Sequence, residues 1–278
     1  MPNFADASGL VAGLRAASPL RNFNKVSAAT EGIGTWHSLW RVAGFPGAGA
    51  KPPLFTAGSG YTPTKGTVGA YPFTNTVLPA KNALAKFSTT QSIAGTIIVY
   101  DRIWACSGFG TVVITAQAVT TPGTLPAARD PNGGQDVEPW GEVYTAPGAT
   151  AAIWTITGVD SLGNAGRTWV YSHPANTESV GKMFPFLPSG AAPASTATIR
   201  QVTSLTCSVS TGTAGDIGIT LLRRLGTASA IAANISAVQD AFATGLPEVP
   251  DDACLAMMMQ CTTTATGQVL GELVVANN

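Results

Sequence analysis

The sequence predicts a mainly β fold: a β-sandwich of jelly-roll type with one helix and a C-terminal hairpin, preceded by an extended N-terminal arm. Three observations carry that expectation. From about Ser92 onward, short runs rich in Val, Ile, Thr and aromatic residues recur between Gly-, Pro- and Ser-containing turns, the spacing of sandwiches and barrels. Several of these runs alternate with a period of two, which puts apolar side chains on one face of a strand. Before them, the chain is loose and rich in Gly, Pro, Ala and Thr.

Residues 1–90 read as the arm and residues 91–278 as the core. Asp6 is suited to cap a short helix that places Leu10, Val11 and Leu14 on one face, and Pro19 stops it. A patch with Trp36, Leu39 and Trp40 follows. The stretch from Gly44 to Pro79 has too few large apolar residues to bury a core of its own. It nevertheless carries aromatics at intervals. Trp36, Trp40, Phe55, Tyr61, Tyr71 and Phe73 are therefore the expected anchors of the arm, dropping into pockets on the chain's own strands or on a neighbouring subunit.

The core opens with Ile97 to Phe109, an apolar run in which Asp101 and Arg102 stand side by side, the default reading being a structural ion pair. Thr111 to Val119 alternates and reads as a strand. Ala151 to Thr157 sets Trp154 and Ile156 on one face. The turn Asp160-Ser161-Leu162-Gly163-Asn164 leads into Arg167 to Ser172, where Trp169 and Tyr171 share a face. Met183 to Leu187, Thr198 to Leu205, Cys207 to Ser210 and Ile217 to Leu222 continue the pattern. A helix is expected over about 229–243: Ser229 caps it, Ile231, Ile235, Val238 and Phe242 fall on one stripe, and Gly245 and Pro247 close it. Cys254 to Cys261 and Gln268 to Ala276 then read as a hairpin. Leu255-Ala256-Met257-Met258-Met259 is apolar on both faces, as in a strand buried on both sides.

Composition narrows the function. Charged residues make up 11% of the chain, with 15 basic and 15 acidic. That balance argues against a nucleic-acid footprint, which requires a basic stripe or excess. Few charges and no net charge protect poorly against association, so much of the surface is expected to be covered by other subunits. No apolar run is long enough for a membrane-spanning helix. Met1 to Asp6 lacks the basic start and apolar core of a secretory signal, which suggests synthesis in the cytoplasm.

Motifs of chemistry are sparse. Cys106, Cys207, Cys254 and Cys261 fit no metal-binding spacing and read as reduced, buried thiols. His37 lies in the arm, and His173 precedes Pro174 at a strand end, an ordinary place for a solvated histidine. Asp130, Asn132, Asp136 and Glu138 offer oxygen ligands to calcium, but Gly134 stands where a ligand is needed, and a surface turn is the plainer reading. Glu248, Asp251 and Asp252 cluster without a partner suited to general acid–base work. No nucleophile elbow or phosphate-binding loop is present. No catalytic residue, cofactor or metal site is assigned, and no enzyme is expected. Trp140, Trp154 and Trp169 keep a second class open, a carbohydrate-binding or receptor-binding module such as a head fibre, which needs these rings on the surface.

Four phrases carry a resemblance: Tyr100-Asp101-Arg102-Ile103-Trp104-Ala105-Cys106-Ser107-Gly108-Phe109, Ser38-Leu39-Trp40-Arg41, Tyr71-Pro72-Phe73-Thr74-Asn75, and Leu246-Pro247-Glu248-Val249-Pro250-Asp251-Asp252-Ala253. In these the chain resembles uncharacterised virion proteins of tailed bacteriophages. The resemblance implies a structural role, that of a capsid cement or decoration subunit (a minor capsid protein) at the capsid surface. It implies the major capsid protein and copies of this chain as partners, in a homotrimer or another symmetric assembly. A place in the tail or collar is the structural alternative. It brings no catalytic residues.

Overall fold

A computed structural model describes residues 7–16, 22–56, 61–76, 81–120, 123, 125–130, 132–189 and 198–277. The elements begin with α1 (Ala7–Ala16), β1 (Asn22–Lys25), β2 (Trp36–Ser38), β3 (Gly44–Phe45), β4 (Asn82–Gln91), β5 (Gly95–Gly110) and β6 (Gln117–Ala118). Next come β7 (Glu138–Thr145), β8 (Ala152–Asp160), β9 (Ala165–His173), β10 (Lys182–Pro185), β11 (Leu187–Pro188) and β12 (Ile199–Cys207). The chain ends with β13 (Asp216–Ala230), β14 (Ser236–Gln239), α2 (Ala241–Thr244), β15 (Glu248–Val249), β16 (Leu255–Cys261) and β17 (Val269–Asn277). The fold is mainly β and antiparallel, of sandwich type, as the strand pattern predicts. The expected short helix of the arm is α1; Asp6 and Pro19, its expected limits, lie outside the described residues.

The chain divides into two compact units. One comprises Met1–Ala50, Thr64–Asp101 and Arg224–Asn278; the other comprises Lys51–Pro63 and Arg102–Arg223.

In the first unit, a sheet runs in the order β14-β4-β17-β1-β3, with β15 also beside β4. β16 pairs with β2 on one side and with the first part of β5 on the other. Phe23, Tyr71, Phe87, Leu255, Met257 and Leu273 belong to its apolar core. The methionine run is buried on both faces, as expected of a strand with a neighbour at each edge. The expected terminal hairpin does not form. β16 is already flanked by β2 and β5, and β17 by β4 and β1, so neither strand has an edge left for the other.

In the second unit, a sheet runs in the order β11-β9-β8-β12-β6, and β7 pairs with β13 and β10. Trp104, Trp154, Trp169, Phe109, Phe184 and Phe186 sit in its core. β8 and β9 form the hairpin that the Asp160 turn predicts. Asp160 Oδ1 accepts from the amides of Leu162 at 3.0 Å and Asn164 at 2.8 Å, and its Oδ2 accepts from Asn164 Nδ2 at 2.9 Å. Burial opposes ionisation of this carboxyl, but those donors outweigh it and hold its pKa low.

Two further expectations are corrected. Only Gln117–Ala118 of the Thr111–Val119 run is a strand; Val112, Val113 and Ile114 are exposed outside any strand. The run lacks a partner along most of its length, and alternation alone does not make a ladder. The helix expected over about 229–243 is instead the end of β13, a turn, β14 and the single turn of α2. β14 lies antiparallel to β4, Ser236 opposite Thr90 and Gln239 opposite Phe87. Pairing with an open sheet edge overrides a helical pattern, because intrinsic propensity is a weak bias.

Candidate partner-binding surface

The segment that fails to become a helix leaves its apolar stripe outside. Asp240 caps α2 by accepting from the amides of Phe242 and Ala243, each at 3.0 Å, and Gly245 ends it at φ +68°. Four large residues spaced for burial are exposed instead: Ile231 by 87%, Ile235 by 48%, Val238 by 55% and Phe242 by 91%. Scattered exposed apolar residues are ordinary; four large ones within so short a segment are not.

The sheet beside this segment extends the surface. Cross-strand register sets Val238, Ser88, Glu272 and Asn22 in one row and Ser236, Thr90, Leu270, Asn24 and Phe45 in the next. These side chains share the outer face, since facing residues of antiparallel strands project the same way. An open groove of about 560 Å³ lies over the β4, β17, β1 and β3 members of these rows, lined in part by Phe45, Leu270 and Glu272. A second, of about 390 Å³, is lined by Leu10 and Leu14 of α1, by Phe242 and again by Glu272. Glu272 is paired with Lys86 at 2.5 Å. The surface is thus apolar with amide and hydroxyl groups and one ion pair, a composition suited to protein contact.

The predicted anchors lie elsewhere, against the chain's own strands. In the first unit, Trp40 is buried, donates from Nε1 to the Ala50 carbonyl at 3.2 Å and covers Gly49 so closely that a Cβ there would lie 2.0 Å from the ring. Tyr71 is buried, with its hydroxyl donating to the Leu273 carbonyl at 3.0 Å and its amide to Leu255 at 2.8 Å. Phe73 is buried in the same core, and Trp36 is half-buried opposite Gln260. In the second unit, Phe55 stacks on Phe109 at 4.6 Å, and Tyr61 exchanges main-chain hydrogen bonds with Ala105 at 3.0 and 2.9 Å. Within each unit these contacts fasten the arm to its own chain.

The remaining candidates are accounted for locally. Asp130 Oδ1 accepts from the Gly134 amide at 2.8 Å, and Glu138 accepts from Trp140 Nε1 at 2.9 Å, so the calcium-like acids do not converge. Among the described residues, no group of three His, Cys, Asp or Glu is placed to hold a metal ion. Asp251 accepts from the Thr76 amide at 3.0 Å, Asp252 from Asn75 Nδ2 at 2.9 Å, and Glu248 pairs with Lys81 at 2.8 Å. All four cysteines are free and buried; burial pushes the Cys207 and Cys261 thiols up to about 11, which leaves them unreactive. Trp140, Trp154 and Trp169 are buried.

Sequence reasoning missed two buried charge clusters in the second unit. Arg102 reaches Glu142, while Asp101, in the first unit, accepts from the Cys254 amide at 2.8 Å. His173 is buried rather than solvated, beside Glu178. The partners are 40 and 5 positions along the chain, and no local motif links them.

No family model matches the chain, and no curated protein matches it. Two solved structures resemble it distantly. A family 11 carbohydrate-binding module from Clostridium thermocellum, in complex with a mixed-linked tetrasaccharide, is 14% identical over 54% of this chain and 91% of its own, with a TM-score of 0.22. The VP2 subviral particle of infectious bursal disease virus is 10% identical over 94% of this chain and 80% of its own, also with a TM-score of 0.22. At that level neither neighbour bears on function. No helix among the described residues is long and apolar enough to cross a membrane.

Proposed function

We propose that this chain is a structural subunit of a tailed-bacteriophage virion, a capsid cement or decoration protein rather than an enzyme. It binds the lattice of the major capsid protein and other copies of itself. The observation that carries this reading is the exposure of Ile231, Ile235, Val238 and Phe242 beside an apolar groove. Burying such side chains contributes about 1.5–3 kcal/mol each, so a partner that covers them gains substantially. A surface with so few charges imposes little electrostatic cost on repeated packing. The sequence resemblance supplies the class of partner. The carbohydrate-binding alternative needs Trp140, Trp154 or Trp169 on the surface, and their burial removes the support for it.

The test is quantitative mass spectrometry of purified particles made by the genome that encodes this chain. The chain is expected in a fixed whole-number ratio to the major capsid protein. Its absence from complete particles, or a trace unrelated to capsid copy number, overturns the reading.

A further inference from the structure

His173 closes β9, and the loop 174–181 carries the chain from there to Lys182, the first residue of β10. Pro174, Ala175, Asn176, Thr177 and Val180 are exposed, while Glu178 is turned fully inward. The Glu178 carboxylate receives Tyr171 Oη at 2.5 Å and Lys182 Nζ at 2.7 Å on Oε1, and faces His173 Nδ1 from Oε2 at 3.5 Å. On the other side of the ring, His173 Nε2 lies 2.9 Å from the Gly148 carbonyl. The imidazole stacks on Trp154 at 4.6 Å and 10°, which fixes its plane.

Both ring nitrogens therefore meet acceptors. A carbonyl only accepts, so Nε2 carries a proton. An ionised carboxylate also only accepts, so Nδ1 is in favourable contact with it only when protonated as well. The neutral ring has one N–H and turns a lone pair toward one of the two oxygens. We infer that His173 is the charged pin of a pH-operated latch: as imidazolium it ties the 174–181 loop, through Glu178, to the Gly148 turn, and release of one proton to solvent loosens the loop, which Tyr171 and Lys182 then hold without it.

The groups that face the ring agree on the direction. Burial opposes the charge on His173, but Glu178 and the Gly148 carbonyl outweigh it and raise its pKa, with Lys182 acting the other way. Glu178 is disfavoured as a charge by burial, yet His173, Lys182 and Tyr171 hold its pKa low. The carboxylate is thus ionised throughout the range in which the ring titrates. The latch is closed below the histidine's raised pKa and opens above it. Because opening is linked to loss of one proton, the opening equilibrium grows by up to about tenfold per pH unit between the ordinary histidine value, which the ring regains in the open loop, and its raised value, and levels off above that. This opening changes which loop residues the second unit presents, whatever the partner.

The experiment is NMR titration of the full chain, with hydrogen-exchange protection of residues 174–181 read in parallel. The chain has two histidines, so the His37 ring serves as an internal comparison. A His173 ring that titrates above the ordinary histidine value, with loop protection falling by up to about tenfold per pH unit between the two values and levelling off above them, supports the latch. A ring that titrates at or below the ordinary value overturns it, as does protection that stays flat through the titration. His173→Phe keeps the stack on Trp154 and removes the pin. Its loop protection is expected to be low and pH-independent; protection equal to that of the acid form of the wild type overturns the latch. The wild-type titration decides the matter even where the variant fails to fold.

Discussion

Arg102 Nη2 lies 3.0 Å from Glu142 Oε2, and neither side chain reaches solvent. The same nitrogen donates to Thr220 Oγ1 at 2.9 Å and to Tyr144 Oη at 3.0 Å, and Tyr144 in turn donates to Glu142 at 2.7 Å. Burial and the neighbouring Glu142 charge raise the Tyr144 pKa, so the phenol remains a donor at any ordinary pH. The cluster is closed, and it contains a cation, an anion and two hydroxyls with no open face for a substrate. Its role is to hold β5, β7 and β13 together. Removing one partner strands a buried charge: Arg102→Met or Glu142→Leu is expected to lower unfolding stability by about 3–5 kcal/mol. The double variant Arg102→Met/Glu142→Leu is expected to recover part of that loss. Denaturant unfolding of the three variants checks it; additive losses contradict the assignment.

Trp154 stands at the centre of a packed aromatic group with Tyr171 at 5.6 Å, Phe184 at 5.4 Å and His173. Trp154→Ala is expected to cost about 3–5 kcal/mol through the cavity it leaves. Thermal unfolding followed by near-UV circular dichroism measures it. A loss below about 1 kcal/mol, in the range of surface substitutions, contradicts the burial of this ring.

Lys25 gives a distinctive alkaline response. Its amine donates to the Val42 carbonyl at 3.1 Å and the Pro46 carbonyl at 2.6 Å, and burial lowers its pKa to about 8. In the unfolded chain the amine titrates near 10.4, about the ordinary lysine value. Between those values the unfolded chain binds more protons than the folded one, so this group makes stability rise with pH there. Asp160 and Glu178 act at the other end. Their folded pKa values are depressed, so the stability they contribute is present above the ordinary carboxylate range and lost as pH falls through the folded values. His173 has the opposite sign to Lys25: its contribution is lost as pH rises through its raised pKa. Unfolding midpoints of wild type and Lys25→Met between pH 7 and 10 separate the two. The difference between the proteins is expected to shift with pH above 8 in favour of the wild type; a constant difference contradicts the account of Lys25.

Much of the fold was legible because period-two runs and turn residues act locally. The β8–β9 hairpin follows from Trp154, Ile156, Trp169, Tyr171 and the Asp160 turn, and the methionine strand from its two apolar faces. What was not legible depends on which edges are already occupied. The stripe Ile231, Ile235, Val238 and Phe242 satisfies a helical period, and only the free edge of β4 makes part of it a strand. The hairpin failed for the same reason, since β16 and β17 each have both edges filled within other pairings. The candidate surface was hidden in the sequence by its own pattern: residues spaced for burial are assumed to be buried. The arm aromatics were expected as anchors, but composition could not say that Trp40 and Tyr71 pack within their own chain.

Substitutions on the exposed stripe are expected to separate folding from association. Ile231→Ser and Phe242→Ser should each leave stability within about 0.5 kcal/mol of the wild type, because both side chains are almost wholly exposed in the isolated chain. Differential scanning calorimetry of the purified variants measures this, and a loss above 2 kcal/mol shows that the residue is packed within the chain.

The most direct measurement is sedimentation of the purified chain with preassembled shells of the major capsid protein encoded by the same genome. The wild type is expected to bind saturably, at a ratio fixed by the lattice, and Val238→Lys/Phe242→Lys to remain in the supernatant while still folded. Failure of the wild type to sediment with intact shells, or equal binding by the double variant, contradicts the assignment of this surface.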